Sequence, residues 1–116
     1  MIFLILGIFS SLFGQQLRKV TKHYRVNGSD AYVIDYEQQP RGTWTAFCRR
    51  HPHNPRSTNV VDCHLYPSGE ICIAVGHEPR SLKQAIKIGV YWAHGYSNYI
   101  RTGVFRNNGG KINVPD

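Results

Sequence analysis

Apolar and polar side chains alternate near the start of the chain. Val20, Lys22, Tyr24 and Val26 fall on one side of this run, and Thr21, His23 and Arg25 on the other, the period of two expected of a strand. Asn27-Gly28 follows, a dipeptide suited to the left-handed backbone of a tight hairpin turn, and Tyr32 to Tyr36 supplies the returning strand. Pro40-Arg41-Gly42 breaks the chain, after which Thr43 to Cys48, rich in aromatic and β-branched residues, predicts a third strand. The prolines and arginines between Arg49 and Thr58 mark a surface loop, and Asn59 to Leu65 is expected to form a fourth, shorter strand.

The period then changes. Leu82, Ala85, Ile86, Gly89, Ala93, Tyr96 and Ile100 recur at helical spacing and make one apolar face, with Lys83 and Lys87 on the other. Ser81 with Gln84 three residues on is a capping-box pattern, and Gly103 is the expected stop. Gly89 and Gly95 each cost about 1 kcal/mol against alanine inside a helix, so close packing on the sheet is the expected reason for them. Aromatic residues at this spacing (Tyr91, Trp92, Tyr96, Tyr99) predict core rather than a base-stacking surface. His94 is expected to be packed, and Phe105 to pin the tail that follows the helix. The expectation is an α+β fold, an antiparallel meander of about four strands packed on a long helix.

Composition narrows this picture only in part. A chain of 116 residues is one domain, 1–116. Its 14 Lys+Arg against 7 Asp+Glu give a basic surface that suits nucleic acid, an anionic membrane or an acidic protein without choosing among them. Three cysteines at irregular spacing fit a reducing cytoplasm better than a disulfide framework. Residues 1–14 form an apolar block too short to span a bilayer and without a basic leader. It is expected to be an N-terminal helix packed on the sheet or on a partner, with a secretion signal or a membrane-surface anchor as the alternative readings of the same residues.

The chemistry concentrates at His64-Leu65-Tyr66-Pro67-Ser68-Gly69-Glu70-Ile71-Cys72. A thiol that follows a tight turn is held by backbone while polar groups arrive from the turn side, as a nucleophilic cysteine requires. The segment Gly69-Glu70-Ile71-Cys72-Ile73 resembles the active-site segment of ubiquitin-conjugating enzymes. It is more similar to their bacterial relatives, in which a His-x-Tyr element precedes the turn and the cysteine. A helix bearing Trp92, Tyr96 and Tyr99 and the sequence Arg101-Thr102-Gly103-Val104-Phe105 continue the likeness, which covers residues 20–105.

The resemblance implies a ubiquitin-conjugating-like fold and a catalytic Cys72 that carries the C-terminus of a protein partner as a thioester. The relatives act in bacterial antiviral defence operons, where the modified partner is a cyclic-oligonucleotide synthase. A cytoplasmic protein without cofactor, metal, nucleic-acid partner or membrane span is therefore expected. The chain has no glycine-rich nucleotide loop, so adenylation falls to a separate activating enzyme unless the partner is captured without it. Leu65 and Tyr66 stand where the conjugating enzymes carry Pro and Asn, and either Tyr66 or His64 is expected to supply the polar contact to the thioester.

Other readings compete. His51-Pro52-His53-Asn54 imitates the family's His-Pro-Asn but lies 18 residues or more before Cys72, so a loop facing a partner is expected there. Cys48, His51, His53, Cys63, His64, Cys72 and His77 offer zinc ligands for a nucleic-acid module, though only Cys48 and His51 have a tidy spacing. A non-catalytic binding domain of the same fold, with a structural Cys72, is a further alternative. A cysteine hydrolase using His64, Asp62 and Asn54 finds no support in the spacing.

Overall fold

The computed structural model describes residues 16–74 and 76–106. Three antiparallel strands, β1 (Lys19–Val26), β2 (Asp30–Gln38) and β3 (Trp44–Arg50), form one sheet in the order β1-β2-β3. Asn27 and Gly28 adopt φ of 55° and 76°, and Ser29 N–H donates to Val26 O at 3.3 Å, so the first hairpin closes as its sequence demands. Val20 then lies opposite Tyr36, and Tyr24 opposite Tyr32. The register between β2 and β3 slips at Val33/Ile34, where Arg49 is the extra residue between Cys48 and Arg50.

Alternation decides what is buried. Tyr32, Ile34 and Tyr36 of β2 and Trp44, Ala46 and Cys48 of β3 all turn to one face and are removed from solvent. Across that face lies helix α2 (Leu82–Thr102), which buries Ala85, Gly89, Trp92, Ala93, Tyr96 and Tyr99. The Tyr32 hydroxyl pairs with Ser97 Oγ at 2.6 Å, and its ring meets the Trp92 ring edge-on at 5.8 Å. A Cβ built at Gly89 would overlap the Tyr36 hydroxyl, so Gly89 lets helix and sheet approach as expected. Gly95 serves a different contact. Its missing Cβ makes room for the Phe105 ring, which folds back from beyond the helix end.

The helix ends are chemically defined. Ser81 Oγ accepts from Gln84 N–H at 3.1 Å, while the Gln84 side chain reaches one residue further back than in a standard capping box, to Arg80 N–H. Gly103, at φ 83°, ends the helix with its N–H on Tyr99 O. Arg101 clamps Asp30 through both guanidinium NH groups, tying the last turn of α2 to the start of β2.

The strand expected over Asn59–Leu65 is a correction. Val60–Cys63 forms a single helical turn, α1, because the Asn59 side chain caps Val61 N–H and His64 closes the turn in the left-handed region. Trp92 Nε1–H then donates to Cys63 O at 3.2 Å and fixes the turn to α2. The β3 edge is met instead by residues 69–71. Cys48 N–H donates to Gly69 O at 2.7 Å and Ile71 N–H to Ala46 O at 2.9 Å. The expected N-terminal helix and the loose tail after Asn107 lie outside the described residues.

Candidate functional site

The cysteine stretch folds as a miniature hairpin hung on the edge of β3. Leu65 and Ile71 bridge, and Tyr66 N–H donates to Glu70 O at 2.9 Å. Between them Tyr66-Pro67-Ser68-Gly69 makes a turn closed by Gly69 N–H on Tyr66 O, with proline at the second position, where its fixed φ fits. Gly69 has φ 93°, and a Cβ there would press on Cys48 O, so both conformation and space call for glycine. Cys72 leaves this hairpin with its N–H on His64 O at 3.0 Å. The thiol is thus positioned by backbone on both sides of the turn.

Tyr66 and Cys72 are brought together by this pairing. The Cys72 thiol donates to the Tyr66 hydroxyl at 3.6 Å, and when the sulfur is ionised the phenol can donate instead. The hydrogen bond to Cys72, aided by nearby negative charge, raises the Tyr66 pKa above its ordinary 10.0. Tyr66 is therefore a protonated donor near neutral pH. Cys72 is half-buried, whereas Tyr66 is 41% exposed.

His64 is placed differently from Tyr66. Its carbonyl holds Cys72, and its ring packs on Phe105 with centroids 4.4 Å apart. Among the described residues no hydrogen bond joins its imidazole to the thiol. Of the two candidates for a polar contact, only Tyr66 makes one with the sulfur.

Cys72 opens onto a groove of about 500 Å³ lined by His64, Ile71, Lys87, Ile88, Tyr91, Trp92 and Phe105. Ile71 and Trp92 are buried, Ile88 and Phe105 half-buried, and Lys87 and Tyr91 exposed. Sequence periodicity left Lys87 on the solvent face and counted Tyr91 with the core. The structure instead gives Tyr91, 49% exposed, a place on the groove beside the thiol. A signal for this was present, since Lys87 and Tyr91 are one helical turn apart and follow each other on one stripe.

The other candidates lie elsewhere. The His51 ring packs at a tilt against Tyr96 with centroids 5.0 Å apart, and the His51-Pro52-His53-Asn54 loop borders a second cleft of about 660 Å³ that Tyr66 also lines but Cys72 does not. His77 is exposed, and so is His94, which corrects the expectation of a packed helix histidine. Cys48 and Cys63 are buried and unpaired, with burial pushing the Cys48 thiol up to about 12. No group of three or more His, Cys, Asp or Glu among the described residues is arranged to hold a metal ion, so the zinc alternative has no ligand cluster there. Among the same residues no helix is long and apolar enough to cross a membrane.

Comparison with protein-family models, with curated proteins and with solved structures gives no match for this chain.

Proposed function

We propose that the chain is a ubiquitin-conjugating-like carrier, with Cys72 accepting the C-terminal carboxyl of a protein partner as a thioester and passing it to an amine. The observation that carries this reading is a thiol held by backbone at the edge of a groove with one phenol in contact, Tyr66 Oη at 3.6 Å. The resemblance of residues 20–105 to the bacterial conjugating-enzyme relatives agrees with it. So does the three-stranded sheet with its long helix, on which a ubiquitin-conjugating-like arrangement can be built.

The chemistry asks little of the site. The Cys72 thiolate attacks the carbonyl of an activated C-terminus, the new C–S bond forms, and the activating thiol leaves. This exchange is near thermoneutral, so orientation and a donor for the developing oxyanion are the main requirements. Tyr66, a neutral donor, is the residue for that task. An incoming amine then attacks the thioester, C–N replaces C–S, and the thiol is regenerated. His64 acts as a positioning residue through its carbonyl and as part of the groove wall.

By resemblance the partner is a cyclic-oligonucleotide synthase, its C-terminus delivered as a thioester by a separate activating enzyme. The test is co-purification with candidate operon partners on non-reducing and reducing gels. A thiol-sensitive adduct present with wild type and absent with Cys72→Ala is expected. Equal cellular activity of Cys72→Ala and wild type, with no adduct, would overturn the reading in favour of a docking domain.

A further inference from the structure

The groove beside Cys72 has a composition that goes beyond offering a thiol. Its floor is Ile71, Ile88 and Trp92, with Phe105 at the side, and its rim is Lys87 and Tyr91 on the exposed stripe of α2. Lys87 is the one permanently charged side chain on the lining, and it has no ion-pair or hydrogen-bond partner among the described residues. A volume of about 500 Å³ falls within the range of sites that enclose a small ligand.

We infer that this groove selects the tail of the acyl donor: a C-terminal segment with a bulky apolar side chain on the Ile71–Ile88–Trp92 floor and a carboxylate upstream that pairs with Lys87. This rests on the carrier reading and adds the substrate class. Apolar walls leave a polar side chain without partners, so the floor discriminates by what it fails to satisfy. An ammonium at the rim without an ion-pair partner among the described residues favours an acidic residue and disfavours a basic one. Tyr91 offers a ring face to the peptide backbone or an apolar side chain. Its exposure is otherwise unexplained by the fold.

The experiment uses acetylated tripeptides Glu-Leu-Gly, Glu-Ser-Gly and Lys-Leu-Gly as mercaptoethanesulfonate thioesters. Their second-order rates of acyl transfer to the full chain are followed by intact mass. Each transfer moves the acyl group to Cys72 and releases mercaptoethanesulfonate. The leucine peptide is expected to react about tenfold faster than the serine peptide. Glu-Leu-Gly should exceed Lys-Leu-Gly several-fold at low salt, and Lys87→Glu should reverse that order while the leucine preference persists. Equal rates for all three peptides, with a Cys72 adduct formed, would overturn the inference and leave the carrier reading intact. No adduct from any peptide, against ready reaction of the urea-unfolded chain, would overturn both.

Discussion

Tyr66 and Cys72 are six residues apart, and a four-residue turn is enough to bring phenol and thiol within 3.6 Å. The sequence pointed to a polar contact from either Tyr66 or His64, and the choice of Tyr66 is made locally: Pro67 and Gly69 set the turn, and β pairing of Leu65 with Ile71 sets the register. What local sequence could not show is the far wall of the site. Whether Tyr91 is core or rim depends on how α2 is rotated on the sheet, and that phase is fixed by Gly89 lying against Tyr36, 53 residues earlier in the chain. His94 was misplaced for the same reason. Tyr66→Phe keeps the ring and removes the donor. Thioester exchange at Cys72 is expected to slow by about tenfold to a hundredfold. The urea midpoint should stay that of wild type, because the side chain is 41% exposed.

At the scale of elements, the sheet was readable from alternation and the Asn27-Gly28 turn, while Asn59–Leu65 was not. Its β-branched residues suggest a strand, yet the Asn59 side chain on Val61 N–H and the Trp92 indole on Cys63 O satisfy a helical turn instead. The second of those partners lies 29 residues away and could not be inferred locally. The helix–sheet contact makes two predictions. Gly89→Ala forces α2 off Tyr36 and is expected to lose about 2 kcal/mol in urea unfolding, more than the ~1 kcal/mol that alanine adds through helix propensity. No loss would mean that the helix does not press on the sheet there. The second concerns Asp30, whose carboxyl is held below the ordinary carboxylate range, chiefly by hydrogen bonds from Arg101. A lowered folded pKa gives stability that is present above the unfolded value and is lost as pH falls through the folded one. Asp30→Asn should therefore cost about 1 kcal/mol near neutral pH, modest because Arg101 is partly exposed, and the gap to wild type should close below about pH 4. A gap independent of pH would contradict the ion pair.

Over the whole molecule, a formal charge of +7 sits on a chain whose described ion pairs tie Asp30 to Arg101, Asp35 to Lys19 and Arg49, and Glu37 to Arg49. Most of the remaining cations face solvent, which suits an acidic partner better than a neutral one. The three thiols differ in kind. Two are sealed in the core and one stands in a groove beside a phenol. The most direct measurement is the intact mass of the native chain after brief exposure to an acetylglycine thioester, before and after hydroxylamine. The account predicts one added acetylglycyl group on wild type, removed by hydroxylamine and absent from Cys72→Ala. A wild-type chain that stays unmodified while its unfolded form reacts, or an adduct that persists in Cys72→Ala, would contradict it.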